Sequence, residues 1–341
     1  MSLANPKTRE QVDILFGEPQ SGLRQSIRTA LHREGYKRVV DFDRIDGIRE
    51  ALRRGLPDVL IVDARMDGDG REVAALLKGL RYNRLGINPF LNIIVTLWDP
   101  NQALVKAMVD AGCDDMLAKP LSPGQIIERI NALSIHRKPF VVTSDYIGPD
   151  RRKDAGRGSE IRQIDVPNTL KAKAQGQVLS VDAVKAMIQA AQSQINDQKL
   201  KRNAFQICFL TGLVLPKLRA GIRDAETVQY LDRLLATGRD VQDRLEDTQY
   251  GHVAELCGTL IGVGEQLADG DSELSPQDVE LLEPLSHAIL LGFNPSADGA
   301  QMAGQINAAV RKFEERRAEA AANAANAAMA EAPAGGKAAQ S

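Results

Sequence analysis

The chain has 341 residues, a hydrophobic fraction of 43% and a charged fraction of 26%, which are values of a soluble protein with two or three domains. A net charge of −2 gives no global attraction to nucleic acid or to anionic membranes. The three cysteines are widely spaced and odd in number, which argues against a disulfide framework and a zinc site and favours the reducing cytoplasm.

No membrane segment is expected. The amino terminus is polar and has no apolar signal-peptide core. The longest apolar stretch, residues 205–215, is too short to span a bilayer and contains polar side chains. These features predict a cytoplasmic protein.

Residues 12–135 alternate strand-like and helix-like segments with short connections. The predicted strands are 12–16, 39–42, 59–62, 92–97 and 115–118, and the predicted helices are 21–34, 45–54, 71–80, 101–111 and 124–133. Five β–α units of this length predict an α/β fold with a doubly wound parallel sheet and right-handed crossovers.

The third predicted strand, residues 59–62, is apolar, lies between Asp58 and Asp63 and ends abruptly in the second aspartate. Because a carboxylate is costly to bury, an aspartate at this point is expected where the strand opens into a cleft. Ligands collect at the carboxyl ends of parallel strands. Thr96 lies at the end of the fourth predicted strand and Lys119-Pro120 follows the fifth, which adds a hydroxyl and an ammonium group to the same edge.

This combination resembles a two-component receiver domain, with its flavodoxin-like (βα)5 fold, over the whole of residues 12–135. Asp63 aligns with the phospho-accepting aspartate, Thr96 with the hydroxyl that contacts the acyl phosphate, and Lys119 with the site lysine, before its usual cis-proline. The resemblance implies a response regulator that is not an enzyme in the usual sense. Its phosphoryl donor would be a sensor histidine kinase or a phosphotransfer protein.

The chemistry explains these residue types. A carboxylate is a weak nucleophile towards a charged phosphoryl group, so the reaction depends on positioning and on neutralisation of negative charge. A lysine ammonium and a divalent cation supply that charge. The resemblance implies Mg²⁺ held by Glu18, Asp63 and the backbone carbonyl of Arg65.

The acidic pair that follows the first strand in receivers is incomplete here, because Pro19 stands beside Glu18. Two interpretations remain open. Either Glu18 reaches inward and the site is phosphorylated, or the chain is a degenerate pseudo-receiver that acts as a phosphorylation-independent adaptor.

Residues 136–177 are rich in proline, glycine and basic side chains, which predicts an extended basic connector with one short ordered patch around 140–146. The run Tyr-Ile-Gly-Pro-Asp-Arg-Arg at 146–152 resembles an extension that follows the receiver in many alphaproteobacterial response regulators. Phe140 is expected to hold the connector on the receiver, together with the tyrosine of that run. The basic residues 151–153 are expected to be exposed.

Residues 178–317 predict an all-α domain. Its expected helices begin near Ser180 and cover 205–218, 227–245, 253–267, 276–292 and 299–317, with Pro216 ending or kinking the second. The Ala-rich tail, residues 318–341, is expected to be disordered.

The sequence contains no evident basic recognition helix, Gly-rich phosphate loop or metal cluster, so output through protein–protein contacts, and not through nucleic acid, is expected from the helical domain. Its amphipathic helices could pair in a homodimer, although the simpler interpretation is that their apolar faces pack against one another within a helical bundle. A phosphotransfer role for His252 is a minor hypothesis. The segment resembles the histidine motif of phosphotransfer domains only in part, because Glu255 stands at the position where that motif has a lysine.

Overall fold

The computed structural model describes residues 6–98, 100–152, 162–245, 250–269, 274–293 and 299–330. The chain divides into two compact units, Met1–Gln198 and Lys199–Ser341. Within the described ranges, no helix combines the length and the apolar character needed to cross a bilayer.

A five-stranded parallel sheet forms the centre of the first unit. Its strands are β1 (Asp13–Gly17), β2 (Arg38–Phe42), β3 (Val59–Asp63), β4 (Asn92–Leu97) and β5 (Asp115–Ala118). They lie in the order β2-β1-β3-β4-β5, and every neighbouring pair is parallel. This order is that of a flavodoxin-like sheet and confirms the predicted fold class.

Helices cover both faces of the sheet. They are α2 (Ser21–Arg33), α3 (Ile45–Arg54), α4 (Arg71–Arg81), α5 (Gln102–Asp110) and α6 (Pro123–His136), preceded by the short α1 (Pro6–Arg9). Alternate residues of β3 belong to different apolar clusters: Leu60 packs with α3, α4 and α5, whereas Ile61 packs with α2 and α6. Burial on both faces explains why the strand is a continuous apolar run.

The described residues of the segment 136–177, which are 136–152 and 162–177, contain more regular structure than the predicted extended connector. They contain a three-stranded antiparallel sheet of β6 (Phe140–Val142), β7 (Ile147–Pro149) and β8 (Gln163–Ile164), followed by α7 (Thr169–Ala174). The side chains of this sheet form an apolar cluster with Phe90 and with Ile188. The sequence did not predict this cluster, because its apolar residues are few and come from distant parts of the chain.

Phe140 packs this small sheet against the five-stranded domain, as predicted. It is fully buried, and the guanidinium carbons of Arg81 and Arg137 each lie 5.0 Å from its ring centroid. Both arginines are ion-paired with the buried Asp114, at 2.8 Å each. Tyr146 lies half-buried and its hydroxyl donates to the carbonyl of Pro149 at 2.9 Å.

The expectation that the basic residues 151–153 are exposed is wrong for Arg151. Its side chain is half-buried, and its guanidinium donates to the carbonyl of Cys113. Arg152 is exposed and pairs with Asp150 at 2.6 Å. Lys153 lies outside the described residues.

The second unit is helical, as predicted. The helices are α8 (Val181–Arg219), whose start lies in the first unit, α9 (Ala225–Leu245), α10 (Gly251–Ala268), α11 (Pro276–Gly292) and α12 (Gly299–Ala330). One apolar cluster joins them, with a fully or nearly fully buried residue from each helix: Ile207, Leu231, Leu260, Leu282 and Ile306.

Two helices are longer than predicted. The separate helices expected from Ser180 and over 205–218 are one helix, because Pro216 lies in the last turn of α8 and does not interrupt it. The last helix continues past residue 317 to Ala330, since alanine has the highest helix propensity. The rest of the tail that was expected to be disordered, 331–341, lies outside the described residues.

Candidate functional site

The sheet brings the three predicted site residues together. Asp63 is the last residue of β3 and pairs directly with Thr96 of β4, and Lys119 follows β5. All three are buried, with relative exposures of 3%, 1% and 6%. The peptide bond between Lys119 and Pro120 is cis, as the resemblance implied.

Lys119 connects two carboxylates. Its ammonium forms ion pairs with Oδ2 of Asp63 and with Oε2 of Glu18, and the three side chains are almost completely buried. Buried charges of this kind are tolerated only when they are paired. One ammonium against two carboxylates leaves a formal charge of −1, which favours a further cation.

Backbone groups orient the acceptor. The amide of Arg65 donates to Oδ1 of Asp63 at 2.7 Å, and the amide of Ala64 donates to the carbonyl of Thr96 at 2.8 Å. The hydroxyl of Thr96 is buried and has no hydrogen-bond partner. An unpaired buried hydroxyl is unusual, and it is the group that a phosphoryl oxygen on Asp63 would satisfy.

Glu18 points inward, as one of the two interpretations required. Its side chain is fully buried, and its Oε1 accepts a hydrogen bond from the amide of Gln20 at 3.0 Å. Pro19 is exposed. The sequence could not decide the direction of Glu18, because that direction depends on the distant Lys119.

The donor set fits Mg²⁺. Glu18 and Asp63 bring two carboxylates together around Lys119, and carboxylate oxygens are hard ligands of the kind that Mg²⁺ takes together with several waters. The carbonyl of Arg65 stays a predicted ligand. In the described part of the chain, no cluster of three or more His, Cys, Asp and Glu side chains is suited to hold a metal. Because Pro19 stands where the second acid is expected, the site offers one carboxylate fewer than a full acidic pair would.

Two residues near the site were not assigned to it by the sequence. Trp98 is 49% exposed, and the ammonium of Lys119 lies 5.3 Å from the centroid of its ring. Arg24 donates to the backbone of the loop that carries Glu18. Their only sequence signals were the proximity of Trp98 to Thr96 and the position of Arg24 in the first turn of a helix.

Met116 of β5 is half-buried and packs against the apolar cluster of α3, α4 and α5. His252 is exposed on α10, with Glu255 exposed one turn later.

Residues 14–131 match the family model of the response regulator receiver domain. This part of the chain is therefore similar to receiver domains. The response regulator MprA of Mycobacterium leprae is 31% identical over 127 residues, which cover 37% of this chain and 52% of that protein. The transcriptional regulatory protein CseB of Streptomyces avermitilis is 26% identical over 125 residues, which cover 36% of this chain and 49% of that protein. The chain thus spans about half the length of these curated relatives.

Solved structures with a similar sheet include a receiver domain from Bermanella marisrubri, 23% identical, with a TM-score of 0.31, covering 36% of this chain and 96% of that one. Full-length FixJ from B. japonicum is 16% identical, with a TM-score of 0.31, covering 72% of this chain and 95% of that one.

Proposed function

We propose that the protein acts in a phosphorelay in which Asp63 accepts a phosphoryl group from a histidine kinase or a phosphotransfer protein. The observation that carries this proposal is the arrangement around Asp63. The ammonium of Lys119 is paired with its carboxylate, and the neighbouring hydroxyl of Thr96 is buried without a partner. The site already has the positive charge and the spare donor that an acyl phosphate requires.

In the proposed step, a carboxylate oxygen of Asp63 forms a bond to phosphorus while the bond between phosphorus and the donor imidazole breaks. The imidazole nitrogen leaves with that electron pair. Lys119 neutralises the negative charge on the phosphoryl oxygens, and Thr96 donates its hydroxyl to one of them.

Glu18, Asp63 and the carbonyl of Arg65 would hold Mg²⁺ in this site. When bound, the ion adds positive charge beside the phosphoryl oxygens. Because Pro19 contributes no carboxylate, Mg²⁺ is expected to bind more weakly than it would with a full acidic pair.

The competing proposal is a pseudo-receiver that acts as a phosphorylation-independent adaptor. Its support is the pairing of Glu18 with Lys119, which partly neutralises the ammonium before any phosphoryl group arrives. Under this proposal Asp63, Glu18 and Lys119 form a buried structural ion cluster.

We propose that the output passes through protein–protein contacts of the helical domain, residues 178–317. The proposed location is the cytoplasm. The proposal leaves open whether the protein forms a homodimer. Relatives such as CseB are named as transcriptional regulators, but the receiver match in this chain ends at residue 131. Their mode of output is therefore not transferred to the helical domain. The resemblance of residues 146–152 to the alphaproteobacterial extension stays a prediction.

Incubation of the full chain with acetyl phosphate and Mg²⁺, followed by phosphate-affinity electrophoresis, tests the acceptor. A shifted band is expected for the wild type and for the control variant Asp69→Asn. The carboxylate of Asp69 lies in the loop between β3 and α4 and pairs with the exposed Arg71. Asp63→Asn is expected to abolish the shift. If the wild type is not shifted while a known receiver is modified alongside it, the pseudo-receiver proposal replaces this one.

A further inference from the structure

We propose that Arg24 is a positioning residue for the acceptor site, because it fixes the loop from which Glu18 reaches Lys119 and Asp63. The inference rests on the proposed function. It assigns to Arg24 no contact with the phosphoryl group, and it concerns only the placement of the one remaining acid of the pair.

Arg24 lies in the first turn of α2, and its side chain is only 18% exposed. Its Nη1 donates to the carbonyl of Glu18 at 2.7 Å and approaches the carbonyl of Pro19 at 3.3 Å. Its Nε donates to Oδ2 of Asp41 on β2 at 3.2 Å. One planar guanidinium therefore ties together β2, the start of α2 and the backbone of the loop between β1 and α2.

The loop has little freedom on its other side. A Cβ at Gly17 would lie 2.5 Å from Sδ of Met66 and 2.6 Å from Cδ1 of Ile48, so the end of β1 is closely packed. The amide of Glu18 donates to the carbonyl of Phe42 at 3.0 Å. These contacts fix the backbone of Glu18, so its side chain extends into the site from a defined position.

The absent second acid makes this placement more important. In a receiver with two adjacent acids, one carboxylate stays in the site when the other moves away. Here Pro19 has no carboxylate, so Glu18 has no such substitute. If the loop shifts outward, Glu18 leaves Lys119, and the site loses one of its two carboxylates. Removal of a group that orients a metal ligand typically lowers metal affinity about 10- to 100-fold.

Arg28 provides a matched control. It lies one turn further along α2 and binds the same aspartate, with Nη1 2.8 Å from Oδ1 of Asp41. Within the part of the chain that the structure describes, Arg28 makes no hydrogen bond to the loop carbonyls, and its side chain is 49% exposed. A purely structural role of the arginine–aspartate cluster predicts similar effects from both arginines, whereas a positioning role predicts an effect from Arg24 alone.

The test uses full-length wild type, Arg24→Ala, Arg24→Lys, Arg28→Ala, Glu18→Gln and the Arg24→Ala/Glu18→Gln double variant. Calorimetric titration with Mg²⁺ gives the dissociation constant directly, and acetyl phosphate labelling gives the rate. Arg24→Ala is expected to weaken Mg²⁺ binding about tenfold or more. Arg28→Ala is expected to match the wild type, and Arg24→Lys to recover part of the loss. The double variant is expected to bind no more weakly than Glu18→Gln, since Arg24 acts through Glu18.

Two results would overturn the inference while the wild type is still phosphorylated: equal effects of Arg24→Ala and Arg28→Ala, or additive effects of Arg24→Ala and Glu18→Gln. If wild type and Arg28→Ala both fail to be phosphorylated, the proposed function fails and takes the inference with it. If Arg24→Ala does not fold, the test compares Arg24→Lys with Asp41→Asn. Asp41→Asn removes the charged partner of both arginines but leaves the hydrogen bonds of Arg24 to the loop in place. A loss of Mg²⁺ affinity in Asp41→Asn as large as that in Arg24→Lys would then count against positioning.

Discussion

Trp98 lies over Lys119, with the lysine ammonium 5.3 Å from the centroid of the indole ring. The same ammonium is paired with Asp63 and Glu18, so the ring, the cation and two carboxylates form one continuous group. Trp98 is half-exposed and is the only tryptophan of the chain. Its fluorescence therefore reports on the environment of Lys119.

The first prediction is that phosphorylation changes the emission of Trp98. Lys119 is expected to move towards the phosphoryl oxygens, which weakens a cation–π contact worth about 0.5–1 kcal/mol at an exposed site. Acetyl phosphate with Mg²⁺ should therefore change the emission of the wild type and leave that of Asp63→Asn constant. A band shift on a phosphate-affinity gel without any change of emission would contradict the proposed movement.

The second prediction concerns the hydroxyl of Thr96. Because it is buried without a partner, Thr96→Val should raise the free energy of unfolding of the unphosphorylated protein by about 1 kcal/mol, measured in urea. The same variant should weaken the response of Trp98 to acetyl phosphate. Thr211 of α8 also has an unpartnered buried hydroxyl, so Thr211→Val should give the stability gain and leave the Trp98 response intact. Destabilisation by Thr96→Val would show that its hydroxyl already has a partner.

The third prediction is that Asp114→Asn destabilises the receiver by about 3–5 kcal/mol, because two buried guanidinium groups lose their counter-charge. Asp46→Asn removes half of an exposed ion pair with Arg49 and should change the free energy of unfolding little. Equal effects of the two variants in urea denaturation would contradict the importance of the buried cluster.

The stability of this cluster should also depend on pH. Burial opposes ionisation of Asp114, but the charges of Arg137 and Arg81 outweigh it and hold the pKa of Asp114 below its ordinary value. The unfolded state therefore binds a proton more readily, so this contribution is present at neutral pH and is lost as the pH falls through the lowered pKa. Asp114→Asn should show a shallower loss of stability between neutral and acidic pH than the wild type shows.

The fourth prediction concerns Lys173 of α7, which binds the buried Asp58 at 2.6 Å and Asp13 at 2.8 Å. Burial raises the pKa of Asp58, and the ammonium of Lys173 opposes that rise. Lys173→Met should raise the pKa of Asp58 further and destabilise the protein by about 3 kcal/mol at neutral pH.

The deficit caused by Lys173→Met should shrink as the pH is lowered. A raised pKa in the folded state gives stability that is present at low pH and is lost as the pH rises through it. Lys171→Met, at an exposed position of the same helix, is the control and should behave as the wild type. A deficit that is constant across the pH range would rule out Asp58 as its origin.

The sequence by itself determined the fold of residues 12–135 and the convergence of Asp63, Thr96 and Lys119. Each strand is a local apolar run, and the carboxyl ends of parallel strands meet at one edge, so local pattern and topology place these residues together. The helical character of the second half followed for the same reason, since helix periodicity is local.

Only the tertiary structure decided the direction of Glu18, the stacking of Trp98 on Lys119 and the small sheet of residues 140–164. Glu18 and Lys119 are 101 positions apart, and the sheet depends on apolar side chains separated by long polar stretches. Such contacts are made by residues that share no local pattern. Their energy depends on what the rest of the fold brings to the same place: a buried ammonium for Glu18, and two paired arginines for Phe140.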